Sequence, residues 1–291
     1  MKKTILYHND MDGVASAAIM WRALGGDESA EETIDCIPVN YHQPFPADAI
    51  QEGQQVYILD YSLPVEDMEV LLTKIKFDCG EDDRKVVWID HHKSSIEGYP
   101  DLPGKRDTSK AACELVWEYC HPKLDIPRGI KYVGDRDTWK WAYGDETKYF
   151  YNGMQLIFDV NNPKSVTWDM IIDDEGGFLS RLMREGEVIE NYKINENEKL
   201  VKTWAYEVEF EGYICLALNA SNTIDRLSNT ILKREYPIAI LWTFNGETYT
   251  VSFYTTKEDI DLSEIAKIYC GGGHRKSAGC VVRALPFTKK K

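Results

Sequence analysis

The sequence lacks the features of membrane, secreted and disulfide-rich proteins. No apolar run in its 291 residues approaches the ~20 residues that a membrane span needs, which predicts no membrane partner. The N-terminal segment has neither the apolar region nor the small-residue cleavage site of a signal peptide. The seven cysteines include no Cys-x-x-Cys pair and follow no regular spacing, as is typical of reduced thiols. These absences predict a cytoplasmic protein.

Positive charge is also scarce. The chain has 34 lysines and arginines against 48 aspartates and glutamates, which gives a net charge of −14 at pH 7. Because binding along duplex DNA depends on clustered lysine and arginine, the composition argues against a partner of long duplex DNA. A short substrate held by metal ions and a few local cations stays compatible with it. The length suffices for two domains.

Three short apolar runs each end in aspartate or histidine on their C-terminal side. Runs rich in β-branched and aromatic residues are typical of buried strands, and helical stretches between them predict parallel strands. Because ligands of parallel α/β sheets collect at the carboxyl ends of the strands, the three endings are expected to lie together. The runs and their endings are 4–7 with His8, Asp10 and Asp12, then 56–59 with Asp60, then 86–89 with Asp90, His91 and His92.

This collection of acids and imidazoles is typical of a metal site. Carboxylates within ~4 Å repel by about 4 kcal/mol per pair at an effective dielectric of ~20, so such a cluster requires cations. Carboxylate and imidazole without thiolate suit Mn²⁺, and less exclusively Mg²⁺, Fe²⁺, Co²⁺ or Zn²⁺. Six or more ligands are too many for one ion with open positions, so two ions bridged by a shared aspartate are expected. Two such ions form a clamp for in-line attack of hydroxide on a phosphate ester.

The apolar spacing divides the chain into two domains and a connection. It predicts an N-terminal α/β domain at 1–185, a helical linker at 186–204 and a smaller mixed α/β domain at 205–291. The connection is expected to be helical and solvated because its apolar positions are sparse and its charges many. Helical patterns lie at 13–24, 64–76, 108–119 and 262–269, and strand patterns of the second domain lie at 214–218, 238–242 and 249–253.

The motifs, taken together and in order, resemble those of the DHH phosphoesterase superfamily. More narrowly, the chain is similar to the branch with a C-terminal DHHA1 domain, which includes oligoribonucleases (nanoRNases) and cyclic- or linear-dinucleotide phosphodiesterases. The resemblance covers essentially the whole length. The motifs that carry it are His8-Asn9-Asp10-Met11-Asp12-Gly13, Asp60, Asp90-His91-His92, Gly134-Asp135 with Asp137, and Gly271-Gly272-Gly273-His274 with Ser277-Ala278-Gly279.

The resemblance implies a metal ligand for most of the motif residues. His8 and Asp10 are expected to bind one Mn²⁺ and Asp12 the other, while Asp60 bridges both. His91 is expected to bind the second ion together with an aspartate of the fourth motif. For that aspartate Asp135 is favoured, because it follows an apolar lead-in directly, and Asp137 is the second choice. Mg²⁺ or Co²⁺ are expected substitutes for the two Mn²⁺ ions.

The resemblance also implies residues for chemistry and for substrate binding. His92 is expected near the phosphate or the leaving oxygen, and Asp90 is expected to orient an imidazole by accepting its other N–H. A glycine run is usually a mobile turn, but here a histidine and cations follow it, so it is expected to bind phosphate or carboxylate. The residues expected to bind substrate are Gly271, Gly272, Gly273, His274 and Arg275.

The function implied is hydrolysis of short single-stranded oligonucleotides or dinucleotides to mononucleotides, in an active site in the cleft between the two domains. Alternatives within the same chemistry are a cyclic nucleotide or dinucleotide phosphodiesterase and a single-strand 5′–3′ exonuclease. An alternative of another class is a nucleotide-binding sensor without catalysis, and a homodimer stays open. Trp139 and Trp141 could stack on a base, but alternating tryptophans more often pack in a core, which is the expectation here.

Overall fold

The computed structural model describes residues 2–26, 34–41, 43–75, 85–93, 95, 102–220 and 227–290. The chain divides into two compact units, Met1–Ile189 and Glu190–Lys291. Each unit has its own sheet with helices, so the predicted α/β class is confirmed. In the described part of the chain, no helix is both long enough and apolar enough to cross a bilayer.

The first unit is built on a five-stranded sheet in the order β2-β1-β3-β4-β5. All neighbouring strands are parallel, with β1 next to β3 and β3 next to β4. The parallel arrangement predicted for the three motif-bearing strands is therefore confirmed, and their carboxyl ends meet at one edge. The strands are β1 Lys3–His8, β2 Ile34–Val39, β3 Gln55–Leu59, β4 Val86–Asp90 and β5 Gly104–Arg106.

Both faces of this sheet are covered by apolar side chains. Successive residues of a strand point to opposite faces, so Ile5 and Ile89 enter one apolar core while Leu6 and Trp88 enter another. Full burial of each such side chain contributes about 1.5–3 kcal/mol. The helices that supply the two cores are α1 Met11–Ala23, α2 Val65–Lys74, α3 Ala112–Cys120, α4 Arg128–Asp137, α5 Asp145–Met154, α6 Val166–Asp173 and α7 Phe178–Trp204.

The helix expected at 108–119 begins later, at Ala112. The residues before it form a turn, in which the carboxylate of Asp107 accepts the N–H of Ser109 at 2.8 Å. The first N–H groups of α3 are satisfied by a distant residue, because the carboxylate of Asp12 accepts from Ala112 at 2.8 Å and from Cys113 at 2.9 Å. The helix therefore begins where a side chain from α1 can cap it. The helices expected at 13–24 and 64–76 are confirmed within two residues at their described ends, while Lys76 lies outside the described residues.

The second unit has a seven-stranded mixed sheet in the order β10-β11-β9-β8-β7-β6-β12. Among the strand pairs that the described residues form in it, only β7 and β8 are parallel. The three strand patterns and the last helix of the sequence are confirmed. The elements are β6 Tyr206–Phe210, β7 Tyr213–Asn219, α8 Leu227–Leu232, β8 Ala239–Phe244, β9 Tyr249–Tyr254, α9 Leu262–Ile268, β10 Gly272–His274, β11 Ser277–Val282 and β12 Thr288–Lys289.

Candidate metal centre

The first motif occupies the turn between β1 and α1. Asp10 is the N-cap of α1, since its Oδ1 accepts the N–H of Gly13 at 3.0 Å, and its Oδ2 lies 2.9 Å from Nδ1 of His8. A Cβ at Gly13 would lie 2.0 Å from the carbonyl oxygen of His8, so only glycine allows the helix to start this close to the strand. This close approach places His8 and Asp10 side by side and buries Asp12 to 1% exposure.

Asp60 lies at the end of β3 in a left-handed conformation, with φ 55°. Such a conformation costs of order 1–3 kcal/mol for a residue other than glycine and persists where the surroundings hold it. Both carboxylate oxygens are buried and accept no hydrogen bond of normal geometry from the described residues. Oδ1 lies 3.3 Å from Nε2 of His91, and Oδ2 lies 3.7 Å from Nδ1 of His8. The two oxygens of one carboxylate therefore face imidazoles of two different motifs.

The third motif turns its two imidazoles to different partners. The buried Oδ1 of Asp90 accepts the backbone N–H groups of His91 at 2.8 Å and His92 at 3.3 Å. The same oxygen lies 2.8 Å from Nδ1 of His92, which places the proton on Nδ1. His91 instead points Nε2 at three carboxylates, 3.3 Å from Asp60, 3.3 Å from Asp137 and 3.9 Å from Asp12.

The structure brings Asp137, and not Asp135, into this cluster. Asp135 is buried, and its carboxylate accepts hydrogen bonds from the N–H of Ala142 at 2.6 Å, from the N–H of Tyr143 at 3.3 Å and from Oγ1 of Thr147 at 2.5 Å. Both aspartates lie in α4, where each residue is turned about 100° from the last. Two residues are therefore about 200° apart, and the two carboxylates point in opposite directions.

Three groups of side chains bring ligand atoms within 4.8 Å of one another. Asp60 belongs to two of the groups and His91 also to two, so the groups form one continuous cluster. The ligands are carboxylates and imidazoles, a set that suits Mn²⁺ and the other divalent ions expected from the sequence. The groups are His8, Asp10 and Asp60; Asp60, His91 and His92; and Asp12, His91 and Asp137.

Crowding of buried carboxylates raises the pKa of two of them. Burial, together with the charges of Asp60 and Asp137, raises the pKa of Asp12 well above its usual value. Burial and the charge of Asp60 raise the pKa of Asp137 to about 6. Both shifts report a shortage of positive charge in the cluster.

The imidazoles respond in the complementary sense. The contacts with Asp10 and Asp60 raise the pKa of His8 to about 10. Burial opposes the charged form of His91, but its contact with Asp60 and the charges of Asp12 and Asp60 raise the pKa to about 9. At pH 7 these imidazolium protons supply positive charge where a divalent cation could supply it instead, so the ligand set fits a metal ion.

The comparisons with known proteins identify this arrangement of motifs. Residues 2–137 match the family model described as the N-terminal domain of the DHH family. These residues are a DHH-family domain. The resemblance that the motifs predicted is therefore confirmed for the part of the chain that holds the cluster.

Two curated proteins are similar to the chain over most of its length. It is 24% identical over an alignment of 310 residues to the uncharacterized protein R106 of Acanthamoeba polyphaga mimivirus, with 98% of this chain and 69% of that protein covered. It is 25% identical over 299 residues to the oligoribonuclease NrnB of Bacillus subtilis, with 94% and 71% covered. Both alignments extend well beyond the DHH-family domain.

Among solved structures, the fold resembles that of the pGpG-specific phosphodiesterase PggH from Vibrio cholerae. The TM-score is 0.53 at 13% sequence identity, and the comparison covers 97% of this chain and 93% of that one. At this identity the likeness concerns the fold alone. The fold of this chain is therefore similar to a solved structure over nearly the whole length of both chains.

Two tyrosines, Tyr41 and Tyr61, lie beside the cluster of carboxylates and imidazoles and were not predicted from the sequence. The ring of Tyr41 lies 5.5 Å from that of His8, 6.3 Å from that of His92 and 4.8 Å from that of Tyr61. The hydroxyl oxygen of Tyr41 accepts the N–H of Ser62 at 3.2 Å. Tyr61 directly follows Asp60, which is a signal that could have found it, whereas the position of Tyr41 after β2 carries none.

The glycine run of the second unit follows the carboxyl end of α9. The N–H of Gly271 donates to the carbonyl of Ala266 at 2.9 Å, so it closes the helix. Gly272–His274 is the edge strand β10, exposed along its length. Arg275 is paired with Asp261 at 3.1 Å and donates to the carbonyl of Glu258 at 2.7 Å. Of the five residues expected to bind substrate, Gly272, Gly273, His274 and Arg275 are exposed and Gly271 is half-buried, and their role stays a prediction.

The expectation of core packing for the tryptophans is wrong for Trp139. This side chain is 74% exposed, and its ring lies edge-on to that of Trp141 at 5.8 Å. Both residues have positive φ, 54° and 52°. The segment after α4 therefore holds an indole in solvent, two residues beyond Asp137.

Proposed function

We propose that this protein is a metal-dependent phosphodiesterase that hydrolyses short single-stranded oligonucleotides and dinucleotides to mononucleotides. The observation that carries the proposal is the geometry of Asp60. Its two carboxylate oxygens are buried without hydrogen bonds among the described residues and face two separate sets of ligands. A DHH-family domain, a relative named as an oligoribonuclease and a fold relative named as a pGpG-specific phosphodiesterase support this class of substrate.

Two divalent cations, Mn²⁺ with Mg²⁺ or Co²⁺ as substitutes, fit the ligand atoms. His8, Asp10 and Asp60 would hold one of them, and Asp12, Asp60, His91 and Asp137 the other. When bound, the pair would supply an activated water and neutralise the charge that develops on the phosphate. The carboxylates of Asp10 and Asp12 can still bind such ions, because each uses only part of its lone pairs to accept the N–H groups at the starts of α1 and α3.

His92 would act on the leaving group. Asp90 holds its Nδ1 at 2.8 Å and raises the pKa of the imidazole, so the protonated ring keeps a second N–H, on Nε2. That proton would pass to the leaving oxygen as the ester bond breaks, and Asp90 would stabilise the ring before the transfer. Nδ1 of His92 also lies 4.0 Å from Asp60. If that atom bound a metal ion, however, His92 would lose its contact with Asp90.

The test is hydrolysis by the metal-loaded protein of a single panel of substrates. The panel contains a linear dinucleotide, a pentanucleotide, a long single strand, a cyclic nucleotide, a cyclic dinucleotide and pyrophosphate. Reactions after removal of metal with EDTA, and after addition of Mn²⁺, Mg²⁺ or Co²⁺, test the dependence on each ion. Release of mononucleotides from the two shortest linear substrates, with the long strand largely intact, is the expected result.

Each other outcome replaces the proposal with a different function. Preference for the long strand would identify an exonuclease, and preference for a cyclic substrate a cyclic-nucleotide phosphodiesterase. Tight binding of a nucleotide without any turnover, with metal bound, would identify a sensor. Unchanged activity in EDTA would exclude the metal-dependent mechanism.

A further inference from the structure

The segment after α4 is built to hold one indole in solvent. Trp139 is 74% exposed, and it adopts φ 54° where an ordinary turn would place a glycine or asparagine. Trp141 packs edge-on against it, with ring centroids 5.8 Å apart. A strained and exposed aromatic residue persists only where neighbouring contacts hold it.

Asp135 supplies such contacts by accepting hydrogen bonds from the residues that follow Trp139. Its carboxylate accepts the N–H groups of Ala142 and Tyr143, and its carbonyl oxygen accepts the N–H of Lys140 at 3.1 Å. On the other side, Nζ of Lys140 donates to the carbonyl of Ser109 at 2.5 Å. The residues that follow Trp139 are therefore held by hydrogen bonds, while the indole itself is 74% exposed.

The segment after α4 starts at the cluster of carboxylates and imidazoles. Asp137, whose Oδ2 lies 3.3 Å from Nε2 of His91, precedes Trp139 by two residues. Two residues of chain span at most about 7 Å between Cα atoms, so Trp139 lies within that distance of Asp137, whose carboxylate belongs to the site where a scissile phosphate would bind. A nucleobase of a dinucleotide lies within a few bonds of that phosphate.

We propose that Trp139 is the stacking platform for a nucleobase adjacent to the scissile phosphate, with Trp141 and Asp135 as its positioning residues. This inference rests on the proposed function and names how its substrate is recognised. Stacking accepts every base, because each has a π-face. The platform therefore predicts a hydrolase of single strands that has little preference for base sequence.

The test compares two substrates in the wild-type protein and in three variants. One substrate is a linear dinucleotide, and the other has the same sugar–phosphate backbone but no bases. The variants are Trp139→Ala, Trp139→Phe, which keeps an aromatic ring, and the control Trp204→Ala, which removes an indole of similar exposure, 68%, at the end of α7. Thermal melting curves verify that each variant is folded.

Trp139→Ala is expected to raise KM for the dinucleotide about tenfold, equivalent to about 1.4 kcal/mol and within the range of stacking on one base. In this variant, kcat for the dinucleotide and kcat/KM for the base-free substrate should both stay within about twofold of the wild-type values. Trp139→Phe should recover most of the loss, and Trp204→Ala should behave as wild type. An equal loss on both substrates, or no loss on either, would overturn the stacking role.

Failure of the proposed function gives a different pattern. In that case the wild-type protein hydrolyses neither substrate, and the same two molecules serve as binding probes in calorimetry. A tenfold loss of dinucleotide affinity in Trp139→Ala, absent for the base-free probe, would still support stacking. Equal affinities of wild type and variant for the dinucleotide would overturn it.

Discussion

Nε2 of His91 lies 3.3 Å from Oδ2 of Asp137. The carboxylate of Asp135, two residues earlier in the same helix, instead accepts hydrogen bonds from backbone N–H groups and from the hydroxyl of Thr147. The two aspartates of the fourth motif thus have separate tasks. Asp137 faces the cluster of carboxylates and imidazoles, and Asp135 holds the segment that follows the helix. Matched substitutions of Asp135 and Asp137 can distinguish these two roles.

Asp137→Asn should lose hydrolysis and the second metal ion while keeping the fold. Asp135→Asn should keep the metal content but lower the free energy of unfolding by about 3 kcal/mol, because buried hydrogen bonds to a charged group contribute about 1.5–3 kcal/mol each. Metal analysis and urea unfolding of both variants measure the difference. Loss of metal from the Asp135 variant with full retention by the Asp137 variant would reverse the assignment.

Asp60→Asn should abolish turnover and remove the rise in Tm that Mn²⁺ causes in the wild type. A ligand at a hundred times its Kd stabilises by about 2.7 kcal/mol, so the rise is measurable by calorimetry. Asparagine is the appropriate replacement because it tolerates φ 55°, whereas alanine would add strain of about 1–2 kcal/mol. Without metal the variant loses the repulsion between Asp60 and Asp12 together with the attraction of Asp60 for the imidazoles of His8 and His91, so the rise in Tm is measured against the metal-free form of each protein.

The control for this experiment is Asp169→Asn, a substitution of an exposed carboxylate in α6 outside the three ligand groups. It should keep both turnover and the Mn²⁺-dependent rise in Tm. Near-normal turnover by a folded, metal-loaded Asp60 variant would exclude a bridging role for this residue.

His92→Gln should slow hydrolysis of a dinucleotide by about 10²–10⁴, the range of one general acid. With a p-nitrophenyl ester of a nucleotide the loss should be much smaller, because that leaving group departs without a proton. Asp90→Asn should show the same pattern in weaker form, since Asp90 holds Nδ1 of His92. Metal content should stay at the wild-type level. An equal loss on both leaving groups would place His92 elsewhere in the mechanism.

Metal binding near pH 7 should release protons. The pKa values of His8 and His91 are raised to about 10 and about 9, so both rings are protonated in the metal-free protein and must lose a proton to bind a cation. The apparent affinity should therefore rise with pH up to these values. Titration calorimetry in two buffers of different ionisation enthalpy counts the protons, and His8→Gln should release one fewer. Identical heats in both buffers would contradict the prediction.

His274→Ala should raise KM with little change in kcat, because it is expected to bind a part of the substrate that does not react. Arg275→Ala should mainly destabilise the second unit, since Arg275 already bridges Asp261 and the carbonyl of Glu258. Steady-state kinetics and thermal melting of the two variants separate these effects. A collapse of kcat at unchanged KM in His274→Ala would assign this residue to the chemistry.

The sequence by itself determined the sheet edge and most of the carboxylates and imidazoles that lie at it. The apolar runs before His8, Asp60 and Asp90 are local patterns, and parallel strands bring their carboxyl ends together whatever the details of the packing. The class of fold, the DHH-family resemblance and the collection of imidazoles and carboxylates followed from these patterns. Three strands of the second unit, β7, β8 and β9, and its last helix, α9, followed from alternation and turn residues in the same way, whereas β6, β10, β11, β12 and α8 were not predicted.

Only the tertiary structure determined which way the side chains of the site point and which distant residues they contact. The rotation of α4 against the sheet determines that Asp137 meets His91 and that Asp135 does not. The capping of α3 by Asp12 joins segments about a hundred positions apart, and the approach of Tyr41 to His8 depends on the path of the chain after β2. The exposure of Trp139 depends on hydrogen bonds across the segment after α4. Such features depend on which surfaces meet, and a local pattern of residues carries no information about its distant neighbours.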